Sequence, residues 1–355
     1  MSRSRSPARL GRLVLGACLL ACTALPAAAA EPSRITELDI ASTFPATLPM
    51  LGDGMQRVIR QAALASGNTL VMRLHEPGAL VPAAQSVTAV SEGRIAAAWA
   101  GAGWFAGTDS AFNMFSTVPF GPAMGEYLAW MYYGGGLELA RGMFAERNVH
   151  NIPCAMIPPE ASGWFRREIR TVDDLRGLRM RFFGLGAQVM ARLGVTTVQL
   201  PPGEIAAAMA AGRLDAAEFS LPSMDAPLGL DAEAKFYYFP GWHQQATLFD
   251  LYVNKAVWEG LPQQHRAIIE LACGDAMRDM IARAEAEQWQ TLLELQARGV
   301  QLRRWSPEIL VAFEDSWTAV AKAEAERNPS FARVHGSYEA FRANHALWRR
   351  MNVLQ

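Results

Sequence analysis

The sequence is poor in the features that mark an enzyme or a nucleic-acid protein. It has no Gly-x-Ser-x-Gly elbow, no phosphate-cradling glycine loop and no His-Glu-x-x-His pair, so the common hydrolase, nucleotide and zinc-protease signatures are missing. Its six histidines stand apart from any plausible nucleophile, and we read the chain as no enzyme. An excess of one charge is lacking too: 33 Lys and Arg against 34 Asp and Glu leave a net charge of −1. Such a balance offers no basic field to a polyanion, so no nucleic-acid partner is expected. Long apolar runs are absent beyond the N-terminus, and the mature chain is expected to be soluble.

What is present begins with an export label. Residues 1–12 carry Arg3, Arg5, Arg9 and Arg12 and no acid, and an apolar run follows from Leu13 to Leu25. That run is too short for a permanent transmembrane helix. It ends in small residues, Pro26 to Ala30, of the kind signal peptidase accepts. Residues 1–30 are therefore read as a signal peptide cleaved near Ala30, delivering the chain to the periplasm. Cysteine is scarce: of four, Cys18 and Cys22 fall in that signal, and Cys154 and Cys273 remain. Nothing has zinc spacing. An oxidising compartment allows a disulfide, but we take the pair as two buried free thiols.

Along the body, strand-like and helical runs alternate, the pattern of an α/β fold. Glu37 to Ala41, Thr69 to Leu74 and Ile95 to Trp99 read as strands, with helices over Leu48 to Ala65 and Val81 to Ser91. A second unit of the same kind has a capping-box spacing at Thr171 to Asp174, a strand Leu178 to Phe182, a helix from Gly184 to Leu193 and a strand Val195 to Leu200. Gly93 to Trp99 aligns weakly with Gly212 to Glu218, which would put Trp99 and Glu218 at equivalent strand ends, where α/β sheets bind ligands. Gln263 to Arg298 is a long helix. Ser306 caps another that runs to about Asn328, where Pro329 interrupts it, and a last helix covers about Tyr338 to Met351. The chain, about 325 residues after export, is long for one core and suggests two lobes.

Binding residues are easier to argue than catalytic ones. Arg181 ends a strand just before Phe182-Phe183-Gly184, where a guanidinium and a helix N-terminus could together grip a carboxylate. An ion pair with a surface acid is the alternative. Glu218 closes an apolar strand, and Glu160 lies in a loop entering one. Each could equally serve a cap or a salt bridge.

These residues sit in recognisable company. Glu160 to Ile169, Thr171 to Arg181, Gly184 to Gly186 and Val198 to Ile205 resemble the extracytoplasmic solute receptors (DctP-type) of tripartite ATP-independent periplasmic, or TRAP, transporters. Val118 to Gly121, Ala129 to Gly136 and Tyr237 to His243 resemble its dimeric branch for 2-oxo acids and lactate. The similarity covers about Leu38 to Arg342. It implies a two-lobed α/β binding protein with hinge strands, a long connecting helix and a C-terminal helical tail. Lobe I is expected at 31–152, completed by about 243–305, with lobe II at 153–242 and C-terminal helices, exchanged between subunits of a homodimer, at 306–355. The resemblance implies Arg181 on the ligand carboxylate, and calcium or sodium held by Glu218, the Phe219 backbone and Gln244. Glu160, Trp99, Phe182, Phe219, Glu218 and Gln244 complete the expected ligand site with Arg181, with Trp104 as a further wall and His243 a weaker candidate. The partners implied are a small organic acid and the TRAP membrane subunits. A sensor on the same fold is the alternative. The chain departs from that branch where Glu160 replaces Gln, Phe219 replaces Trp, Met224 replaces Asn, and Ala97 and Ala98 replace tyrosines. The alanines would leave room for a bulkier acid, and two neighbouring carboxylates would want a cation or an amine between them.

Overall fold

The computed structural model describes residues 35–352, so the expected signal peptide lies outside the described residues. The first part carries β1 (Thr36–Ser42), α1 (Leu51–Ala65), β2 (Leu70–His75), α2 (Ser86–Ser91), β3 (Ala97–Gly101), α3 (Met124–Tyr133), α4 (Gly136–Ala145) and β4 (Val149–Ile157). The middle carries β5 (Gly163–Phe165), β6 (Arg179–Arg181), α5 (Gly184–Arg192), β7 (Thr196–Val198), α6 (Pro202–Ala210), β8 (Ala216–Ala217), α7 (Pro222–Asp225) and β9 (Phe236–Phe239). The remainder is β10 (Thr247–Asn254), α8 (Lys255–Gly260), α9 (Gln263–Ala297), β11 (Gln301–Arg304), α10 (Pro307–Arg327) and α11 (Pro329–Asn352).

Two mixed sheets result, ordered β2-β1-β3-β10-β4 and β11-β9-β5-β8-β6-β7. In the first, β1 pairs in parallel with β2 and β3, while β10 runs antiparallel between β3 and β4. In the second, β8, β6 and β7 are parallel neighbours, and β5 is antiparallel to β8 and β9. The chain passes between sheets after β4, after β9 and along α9. Every residue of β10 is buried, because it is a central strand with both faces covered, and its text is accordingly an almost unbroken apolar run. By contrast α1 buries Leu51, Met55, Val58 and Ala62, the spacing of one helical face.

The sheets divide the chain differently from the expected lobes. A boundary at 152/153 would cut β4, which stays in the first sheet to Ile157. β11, assigned to the first lobe, instead pairs in parallel with β9 of the second. The final helix also begins earlier than expected. Pro329 opens α11 instead of interrupting a helix, because Asn328 Oδ1 accepts from the Ser330 and Phe331 N–H groups and proline needs no N–H at a first helical position. Tyr338 is fully buried there, edge-on to Trp130 at 5.1 Å.

Cys154 and Cys273 are joined in a disulfide, which corrects the expectation of free thiols. The β4–β10 register slips at this point: Phe249 faces Ala155 and the next residue, Asp250, faces Pro153. Cys154 is left without an opposite number in the ladder, a bulge that turns the strand locally. The helix α9 lies against β4 and brings Cys273 to a Cα–Cα distance of 4.2 Å.

Candidate functional site

Arg181 and Glu218 stand at the carboxyl ends of adjacent parallel strands, the last residue of β6 and the first after β8. Arg181 Nη1 donates to the Glu218 carbonyl at 2.6 Å and to Glu218 Oε2 at 2.8 Å, while Nε donates to Leu200 O at 3.1 Å. The guanidinium carbon lies 5.5 Å from the Phe219 ring centroid, within cation–π range. Among the described residues, Nη2 has no hydrogen-bond partner. One edge of a rigidly held guanidinium is thus left for something else.

Glu160 approaches from the loop between β4 and β5, and Gln244 from the loop between β9 and β10. Gln244 Nε2 donates to Glu160 Oε2 at 2.8 Å and to Glu218 Oε1 at 3.3 Å, so one amide bridges both carboxylates. Ser220 and Thr247 hydroxyls donate to Glu160 Oε1, each at 3.3 Å. The two loops are tied through their main chains: Glu160 N–H donates to Gln244 O and Gly241 N–H to Glu160 O, at 3.1 and 2.9 Å. Position 241 has to be glycine here, since a Cβ would sit 2.2 Å from the Glu160 carbonyl oxygen.

Phe44, Trp104, Phe183, Phe219 and Phe249 wall the cavity between the two sheets, with Arg181, Glu160 and Gln244 among its polar lining. The centre of a water-sized sphere can range over ≈ 30 Å³ of it, room for a ligand of a few heavy atoms. Ala97 and Ala98 are buried in the core and do not line it, so they add no room to this cavity. Of the expected residues, Arg181, Glu160, Phe219 and Gln244 line the cavity, and Glu218 is hydrogen-bonded to two of them, Arg181 and Gln244. Trp99 and Phe182 do not line it. Because β3 runs on to Gly101, Trp99 is not a strand end. Its indole donates to Leu51 O at 2.7 Å and its ring backs Phe44 and Phe249. Phe182 turns towards Trp242 and His243, and its neighbour Phe183 takes the wall. Thr247 and Phe249 were missed. They share one face of β10, a signal visible only once that apolar run is read as a strand.

The site is acidic. Burial raises the Glu160 pKa well above the usual carboxylate range, and the Glu218 and Asp225 charges raise it further. Asp225, just behind Ser220, is pushed up to about 7 by burial, although Trp164, Tyr237 and the Ser220 N–H all donate to it. Glu160, Glu218 and His243 offer ligand atoms that all lie within 4.8 Å of one another. Buried Gln244 Oε1 and both ring nitrogens of His243 have no hydrogen-bond partner among the described residues. His243 Nε2 is 3.3 Å from Glu218 Oε1 without the alignment of a hydrogen bond. Unpaired buried acceptors beside two carboxylates fit a hard cation.

Two sheets flanking a small cavity with a buried arginine, in an α/β chain, define a two-lobed solute-binding protein. The chain belongs to the bacterial extracellular solute-binding proteins of family 7, whose sequence profile matches residues 46–328. It is 35% identical over 301 residues, 85% of this chain and 83% of the relative, to a monocarboxylate 2-oxoacid-binding periplasmic protein of Nostoc sp.. Among solved structures it resembles a TRAP transporter solute binding protein from Bordetella bronchiseptica, a mixed-occupancy dimer with co-purified calcium and picolinate. The TM-score is 0.88 at 29% identity, covering 90% of this chain and 95% of that one. A TRAP periplasmic solute binding protein from Pseudoalteromonas atlantica with bound sodium and pyruvate gives 0.86 at 27% identity, covering 90% and 97%. The family binds and delivers solutes and is not enzymatic. Among the described residues no helix is long and apolar enough to cross a membrane.

Proposed function

We propose that this chain is the exported receptor for a small monocarboxylate of the 2-oxo or 2-hydroxy acid class, which it takes up with a cation and hands to TRAP membrane subunits. The observation that carries this is the unpartnered Nη2 edge of Arg181 in a cavity sized for a few heavy atoms. Nε and Nη1 are already fixed by Leu200 O and Glu218, so little side-chain freedom is lost when a carboxylate docks on the remaining edge. Burial of the guanidinium makes that charge-assisted contact stronger than it would be on a surface. The aromatic walls cover the apolar part of the ligand. A bound cation, held by Glu218, Glu160 and Gln244 with the Phe219 carbonyl, would supply positive charge facing the ligand's oxygens. The sheets act as lobes that close over it, and the N-terminal segment acts as the export signal.

The test is a thermal-shift and calorimetric screen of the full exported chain against pyruvate, lactate, picolinate, acetate and simple amines. A ligand specific to the folded form raises the melting temperature, and pyruvate or lactate is expected to do so. Arg181→Ala is expected to weaken that binding more than about a hundredfold, since breaking a buried charge pair costs about 3–5 kcal/mol. Stabilisation by an amine and by none of the acids would sink the carboxylate assignment. We also propose a homodimer built on α11, where Leu347, Trp348 and Met351 are 62%, 58% and 77% exposed.

A further inference from the structure

Taken with the ligand proposed above, the charges in the cavity do not balance. With both carboxylates ionised, as cation ligands must be, Arg181 supplies one positive charge and Glu160 and Glu218 two negative ones, with all three residues at 3% exposure or less. A bound monocarboxylate adds a third negative charge. That leaves an excess of two, and buried charge without a partner is costly. We propose that the site is built for a divalent cation of the calcium kind, and that Glu160 is the residue that makes it prefer such an ion to sodium. The inference rests on the carboxylate-receptor reading.

Geometry supports the same choice. Glu160 reaches the site from one loop and Glu218 from the strand end opposite, and Gln244 Nε2 holds an oxygen of each. Each carboxylate oxygen keeps a lone pair beyond that bond. The unpartnered Gln244 Oε1 adds a third hard donor, and an oxygen-rich set of this kind suits calcium. With a divalent ion the guanidinium, two carboxylates, cation and ligand sum to zero; with sodium one negative charge stays buried. An amide in place of Glu160 removes one carboxylate, and the sum then closes with a monovalent ion. The two similar structures hold calcium in one case and sodium in the other. The fold thus accepts either, and the donor set has to make the choice.

The experiment is calorimetric titration of pyruvate into the chelator-stripped full chain, in sodium chloride and in choline chloride with calcium. Wild type is expected to bind about tenfold tighter or better with calcium, a difference of about 1.4 kcal/mol. In Glu160→Gln that preference is expected to reverse. The substitution keeps the shape, and the Gln244 amide can turn to accept from the introduced one. If the variant fails to fold, the wild-type comparison still decides, together with metal analysis of the untreated protein, where calcium is expected at about one ion per chain, as one such cluster implies. Equal affinity in both salts, retention of zinc instead of calcium, or an unchanged preference in folded Glu160→Gln overturns the proposal. Failure of folded wild type to bind any 2-oxo or 2-hydroxy acid in any salt overturns the receptor reading itself, and the cation assignment with it.

Discussion

Glu160, Glu218, Asp225 and Asp250 are all buried, and among the described residues Arg181 is the only buried basic side chain of the Lys/Arg type. Asp250, on β10, stands apart from the other three, which cluster at the ligand site. It accepts from Asn151 Nδ2 at 3.0 Å and from the Tyr252 hydroxyl at 3.2 Å, yet burial still pushes it up from the ordinary 3.8 to about 7. Between those values the folded chain keeps a proton that the unfolded chain has lost. Its contribution is therefore full at low pH, falls as pH rises through that window and is gone above about 7. Asp250→Asn is expected to flatten the slope of stability against pH and to stabilise the protein by about 1–3 kcal/mol above neutrality. Urea denaturation of both proteins from pH 4 to 8 checks this, and parallel slopes would refute it. At this scale the sequence was legible where chemistry was local: an arginine ending a strand before Gly184, and a glutamate ending an alanine strand. It was illegible where the phase of a single bond decides. Of the neighbours Phe182 and Phe183, only the latter faces the cavity, and nothing in the text of the chain separates them.

Among elements, β4 and β10 pair within the first sheet and α9 packs against β4. Their disulfide closes a loop of 119 residues in sequence separation, which includes all the strands from β5 to β10. Replacing both cysteines by alanine is expected to cost about 2–5 kcal/mol, seen as a lower urea midpoint. Reductant should lower the wild-type midpoint likewise and leave the double variant unmoved. A wild type indifferent to reductant would contradict the bridge. The long helices were readable, α9 from its run of Ala, Glu and Gln and α10 from its cap, where Ser306 accepts from the Ile309 N–H at 3.3 Å. The inner strand β10 was not, because burial on both faces erases the alternation that advertises a strand. The bulge that exposes Cys154 to α9 depends on register between segments about a hundred residues apart, which local patterning does not record.

For the whole molecule, the question is what covers the end of α11. Glu126 on α3 holds this helix through Arg342, His345 and Arg349 at 3.5, 3.3 and 3.2 Å, while Leu347, Trp348 and Met351 face outward. Two copies joined there would bury that apolar end. Light-scattering mass is expected to give a dimer for the wild type and a monomer for Trp348→Glu, with the far-ultraviolet circular dichroism unchanged. A wild-type monomer would refute the arrangement. The loops that meet over the ligand carry a different kind of consequence. The main chains at Glu160 and Gln244 are tied by each other's peptide groups and by the close approach at Gly241, in addition to the bond between the two side chains. The address of the site is therefore written in the backbone and its vocabulary in the side chains. Descendants of this chain can change what they recognise at positions 160 and 244 without relearning where to fold.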